Sequence, residues 1–158
     1  MKAGFIGTGS MGLPLAMNIL DQEKSLVVFD INEAAVAPLA AKQARVVASP
    51  AEVANEAEIV FVCMPSIGSF EDIVSGADGV LQGKRMSLFV NLGTMGTEAS
   101  IAAEALLAAK GIPMLDSPIT GGVKRASDGD ITVITSGPQA VYDRAEPGTE
   151  FLITRYRK

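Results

Sequence analysis

No histidine occurs in the 158-residue chain. That excludes a serine–histidine triad and any imidazole-ligated metal. A single cysteine, Cys63, sits inside an apolar run, so there is no disulfide framework, and no cysteine cluster stands in for the missing histidines. No metal site is expected, and the lone thiol reads as a small buried hydrophobe rather than a nucleophile. Positive charge is also scarce: 13 Lys and Arg face 18 Asp and Glu, for a net charge of -5. With no basic run before the last few residues, nucleic acid and acidic membranes are poor candidates as partners. No apolar stretch is long enough to span a bilayer, and the first apolar residues are broken by glycines, unlike a signal peptide. A reducing compartment is expected, with the cytoplasm as the location. Neither an internal repeat nor a low-complexity segment is present. What remains is 48% hydrophobic and 20% charged, enough for one globular domain with a sizeable core.

The chain is organised around Gly7-Thr8-Gly9-Ser10-Met11-Gly12. A strand-like run, Lys2 to Ile6, precedes it, and a helix-like run, Leu13 to Leu20, follows. Gly7 suits the tight turn out of the strand, Gly9 leaves backbone open to a phosphate, and Gly12 lets helix and sheet pack closely. The helix N-terminus then favours negative charge. A G-x-G-x-x-G alone is weak evidence. Here a second strand-like run, Ser25 to Phe29, ends in Asp30, near the ~20-residue spacing expected of the acid that takes ribose hydroxyls. A carboxylate at Asp30 would repel a 2′-phosphate, so NAD is expected over NADP.

Strand-like and helix-like segments alternate along the rest. Helices are expected over 10–21, 33–42 (capped by Asn32), from Ser49-Pro50, over 68–76 and over 97–110, the last ended by Gly111. Strands are expected over 2–7, 25–30, 45–47, 58–63, 87–92, 112–116, 131–135 and 151–154, with a helix opened by Pro138 between the last two. The continuous apolar run 58–63 suits a strand buried on both faces. The alternation predicts an α/β fold, a Rossmann-type, doubly wound, mostly parallel sheet in a single domain covering 1–158. Ligands of such sheets sit beyond the strands' carboxyl ends.

Three more strand ends draw notice. Met64-Pro65 either contacts the adenosine side of a cofactor or simply stops a strand. Thr94 either offers a hydroxyl near the nicotinamide end or helps begin the next helix, although Thr97 is better placed as a cap. Asp116-Ser117-Pro118-Ile119-Thr120-Gly121-Gly122 is either a backbone nest for a carboxylate or a glycine turn before a short helix at 123–127.

Taken with Gly4 to Gly12, Asp30-Ile31-Asn32, Asn91-Leu92-Gly93-Thr94, Ala126 and Gly129, that last segment resembles the β-hydroxyacid dehydrogenase family. The family includes 3-hydroxyisobutyrate dehydrogenase, tartronate semialdehyde reductase and L-threonate dehydrogenase. The resemblance covers nearly the whole chain. It implies an NAD(P)-dependent oxidoreductase acting between a small 3-hydroxy acid and its semialdehyde, on an NAD-binding domain of the 6-phosphogluconate dehydrogenase type. Gly7, Thr8, Gly9, Ser10, Met11, Gly12, Asp30, Met64, Pro65 and Thr94 would hold the cofactor. Thr120, Gly121 and Gly122 would hold the substrate carboxylate. Gly93 and Thr120 stand where the family usually or often has Ser.

The family's reaction also needs a proton acceptor. It uses a lysine at the start of a long helix, which would lie beyond Lys158, so no catalytic residue is expected within the chain. The family's all-helical second domain, which builds dimers or tetramers, is likewise not among these residues. The expectation is a cofactor domain inactive alone, with Lys124 a solvated surface lysine. The alternative is a non-catalytic dinucleotide-binding module. A short-chain dehydrogenase is rejected because Glu146 stands four residues after Tyr142. A methyltransferase would not explain Thr120-Gly121-Gly122.

Overall fold

The computed structural model describes residues 2–145 and, as backbone, 154–157. The apolar runs pair as a six-stranded parallel sheet in the order β3-β2-β1-β4-β5-β6. These strands are β1 (Ala3–Ile6), β2 (Val27–Phe29), β3 (Arg45–Val46), β4 (Ile59–Val62), β5 (Leu88–Asn91) and β6 (Met114–Asp116). The chain lays β2 and β3 on one side of β1, then returns to place β4 on the other. The reversal leaves a crevice at the carboxyl ends of β1 and β4, where open α/β sheets bind ligands.

Helices cover both faces, as right-handed crossovers require. On one face α1 (Gly12–Glu23) and α2 (Glu33–Ala41) pack on Phe5, Val28, Phe61 and Val90. On the other, α3 (Pro50–Glu56), α4 (Ile67–Ser75) and α5 (Thr97–Ala108) pack on Ile6, Val60, Val62 and Phe89. Phe5 and Phe61, paired in register, stack with ring centroids 6.4 Å apart, and Phe70 meets Phe89 edge-on at 6.1 Å. Strand β4 is buried along its whole length, which explains its lack of polar alternation.

Local chemistry sets the helix ends. Asn32 accepts from the Ala34 N–H and Ser49 from the Glu52 N–H, with Pro50 at the first helical position, as N-cap chemistry predicts. One expected cap differs. Gly96, not Thr97, is the N-cap of α5, and no side chain bonds there. Gly96 takes φ 80°, and that turn moves Thr97 inside the helix.

The late strands lie apart from the main sheet. Ile119–Thr120 forms β7, which the sequence reading does not anticipate; it pairs antiparallel with β8 (Thr132–Thr135), and β8 pairs parallel with β9 (Thr154–Arg157). Of the strand expected over 151–154, only Thr154 lies within the described residues. Between β7 and β8 lies α6 (Gly122–Ser127), and α7 (Gln139–Ala145) follows Pro138. The two sheets are stitched where Asp116 and Ser136 exchange backbone hydrogen bonds at 3.1 and 2.8 Å.

The tightest packing is where β1 hands over to α1. A Cβ on Gly12 would collide with the Gly7 carbonyl and stand 3.2 Å from the Phe5 ring. Gly12→Ala is therefore expected to cost about 1–3 kcal/mol of stability through overpacking. Urea unfolding followed by circular dichroism would read the loss, and an unshifted midpoint would refute the close approach.

Candidate dinucleotide site

Gly7 leaves β1 with φ 88°, and a side chain there would run into the Cys63 carbonyl at the end of β4. Glycine is thus required by the fold at positions 7 and 12. Gly9 differs: nothing lies within 4 Å of a Cβ built on it. The open space above its backbone serves no internal packing and suits a ligand's close approach. Gly9 and Ser10 are exposed and Met11 half-buried. Helix α1 begins without a side-chain cap and with no acid in its first turn, so no charge of its own offsets its positive end. These features fit a pyrophosphate.

Thr8 is buried, at 1% exposure. Its N–H donates to Asp30 Oδ2 at 2.7 Å, and the Asn32 N–H donates to Asp30 Oδ1 at 2.9 Å. The Asp30 carboxylate is therefore held from both sides by backbone, one bond coming from the glycine loop itself. It stands half-buried on the wall of a cavity of about 360 Å³, together with Gly7, Ile31, Met64 and Ile73. This largely apolar cavity suits a nucleoside, with Asp30 placed to accept ribose hydroxyls.

Met64 joins the cavity wall, whereas Pro65 is exposed. Thr94 is exposed and lines a separate cavity of about 400 Å³ with Met95, Asp116 and Ser136. Thr120, Gly121 and Gly122 are exposed, the glycines at φ 132° and 78°. Two successive glycines in that region leave backbone N–H groups unobstructed by side chains. Helix α6 is fastened to α1, since Asn18 Nδ2 donates to the Ala126 carbonyl at 2.7 Å.

Asn91 is fully buried and escaped the sequence reading as an organiser. Its Oδ1 accepts from the Gly93 N–H at 2.9 Å, and its Nδ2 donates to Asp116 Oδ1 at 2.7 Å. It shapes the loop carrying Thr94 and ties β5 to β6. An Asn at a strand end with Gly two residues on is an Asx-turn signal that could have found it. Cys63 is half-buried against the core rather than fully buried, and desolvation pushes its pKa up to about 11, away from thiolate chemistry at neutral pH.

Residues 2–151 match the family described as the NAD binding domain of 6-phosphogluconate dehydrogenase. The chain belongs to this family. It is an NAD-binding domain of Rossmann type, and its relatives are dehydrogenases. The 2-(hydroxymethyl)glutarate dehydrogenase of Eubacterium barkeri is 32% identical over 148 residues, 93% of this chain and 49% of that protein. The 3-hydroxyisobutyrate dehydrogenase of Pseudomonas aeruginosa is 34% identical over 149 residues, 92% of this chain and 49% of that protein. The solved 3-hydroxyisobutyrate dehydrogenase of Mycobacterium tuberculosis superposes with a TM-score of 0.91 at 25% identity, covering 99% of this chain and 53% of that one. The chain spans about half the length of the curated relatives it matches.

Because Gly9 faces open space, Gly9→Val is expected to leave the unfolding free energy within about 0.5 kcal/mol of wild type. It is expected to abolish dinucleotide binding. Retained NADH binding in a calorimetric titration would overturn the cradle.

Proposed function

We propose that this chain is the cofactor-binding part of an NAD-dependent 3-hydroxyacid dehydrogenase, acting between a small 3-hydroxy acid and its semialdehyde. The observation that carries the reading is the pairing of two glycine-opened loops through α1 and α6. The loop at Gly9 opens toward a dinucleotide, and the nest at Gly121-Gly122 toward a carboxylate. The Asn18–Ala126 bond fastens the helices that follow them. When bound, the nicotinamide ring accepts or donates the hydride. Thr8 and Asn32 hold Asp30 ready for the ribose, and Met64 and Thr94 contact the cofactor at successive strand ends. Thr120, Gly121 and Gly122 orient the acid by its carboxylate. The relatives named above support an acid substrate, and the full-length form is read as a homodimer or homotetramer in the cytoplasm.

A second reading is a non-catalytic dinucleotide-binding module, and Lys124 offers no base that would speak against it. Its Nζ lies 2.6 Å from Asp128 Oδ2, and this hydrogen bond and charge raise its pKa. The amine stays protonated at neutral pH, which makes it a poor base. Under either reading, the chain by itself is expected to bind dinucleotide and to turn over little.

Calorimetric titration with NADH and NADPH, beside an assay with short 3-hydroxy acids, tests this. NADH binding without turnover is the expected outcome. Turnover abolished by Lys124→Ala would show that the base lies here after all. Asp30→Ala is expected to weaken NADH binding about tenfold or more, as loss of charged hydrogen bonds would, and to narrow the preference over NADPH. An unchanged preference would refute the assignment of Asp30.

A further inference from the structure

We propose that Asp72 and Asp78 act with Asp30 as a wall of negative charge that excludes 2′-phosphorylated dinucleotides. The choice of NAD over NADP would then be set by three carboxylates rather than by one. This rests on reading the cavity beside Gly7 as the adenosine end of the site.

The cavity of about 360 Å³ has an apolar floor, to which Ile6, Phe29 and Ile73 contribute, and its charged side chains are of one sign. Asp30, Asp72 and Asp78 all line it, and no Lys or Arg does. Ile31, 92% exposed, stands beside Asp30 on this wall. An apolar floor under an acidic rim suits a base and an unmodified ribose, and opposes a phosphate.

Neither Asp72 nor Asp78 is explained by the packing around it. Some surface acids of the chain have cationic partners, as Asp21 has Lys42, Asp128 has Lys124 and Asp130 has Arg125, and others, such as Glu71 and Glu98, have none among the described residues. Among the described residues, the side chains of Asp72 and Asp78 enter no ion pair. Asp72 also lies in the last turn of α4, where a negative charge opposes the helix dipole. Backbone bonds hold both positions firmly. The Gly76 N–H donates to the Asp72 carbonyl at 2.9 Å, and the Ala51 N–H donates to the Asp78 carbonyl at 2.9 Å. The backbone that carries the two acids is therefore fixed by the end of α4 and by the tie of the following turn to α3. A 2′-phosphate would bring about two negative charges into a cavity with no cation to receive them.

The test compares the NADPH-to-NADH affinity ratio of wild type with that of a Asp72→Asn/Asp78→Asn double variant, by calorimetry at low and high salt. The ratio is expected to rise about tenfold at low salt, the size of two partly screened charge–phosphate repulsions, and to rise less at high salt. A control double variant, Asp21→Asn/Asp128→Asn, removes the same net charge away from the cavity and is expected to leave the ratio unchanged. A ratio that does not move in the first variant, while NADH still binds, overturns the wall and leaves the adenosine reading standing. An equal rise in the control also overturns it, by assigning the effect to net charge. Wild type that binds neither dinucleotide overturns the adenosine reading, and the wall with it.

Discussion

The close contact of Gly12 with Gly7 is the constraint on which the site depends. Without side chains at either position, the first turn of α1 rests directly on the end of β1. That contact aims the uncapped N-terminus of the helix at the carboxyl edge of the sheet, where strand order reverses. It also brings the Thr8 N–H within 2.7 Å of Asp30, on the neighbouring strand's end. The proposed phosphate cradle and the proposed ribose acceptor are thus two consequences of one packing event. The three glycines divide the work unequally: Gly7 and Gly12 are demanded by the fold, while Gly9 answers to nothing inside it.

The sheet can make such a site rigid because its central strands, β1 and β4, are paired on both edges and covered on both faces. Strands β1 and β4 are buried throughout, and their ends carry the loops of interest. Past β4 and β5 the exposed loops are shaped by single buried polar groups. Asn91 is the clearest case, closing its own turn and bonding Asp116 across to the next strand. Ser117 extends that tie into the second sheet, its N–H donating to the Asn91 carbonyl at 2.7 Å and its hydroxyl to Thr135 at 3.2 Å. The hydroxyl-and-glycine segment that follows therefore grows from a hydrogen-bonded base.

Much of this was legible from residue patterns, because the relevant physics is local. Asn32 and Ser49-Pro50 announce helix starts through their own side chains, and β4 announces itself as a run with no polar residue. The glycine fingerprint could be read because Asp30 follows at the right distance. What escaped depends on distant partners. Ile119–Thr120 is too short to carry a period and becomes a strand only because Val133 and Thr132 come alongside. Gly96 displaced Thr97 as a cap through a backbone turn that no side-chain pattern encodes. The acids at 72 and 78, separated in sequence from Asp30, join it only through the folding of α4 against the sheet.

That last grouping bears on how cofactor choice is written into a shared fold. On the proposed reading, the loop opened by Gly9 and the N-terminus of α1 answer to what NAD and NADP have in common, because backbone and helix dipole respond to a pyrophosphate. The two cofactors differ at one ribose oxygen, and discrimination there requires charge at the rim of the cavity. A lone carboxylate at Asp30 is already committed to the Thr8 and Asn32 N–H groups, which fixes its position while sharing its charge. Carboxylates with no such bonds repel more freely, and they can sit at exposed positions at and beyond the end of α4 without cost to the core. Selectivity can then change at the surface while the cradle beneath stays as the packing of β1 and α1 requires.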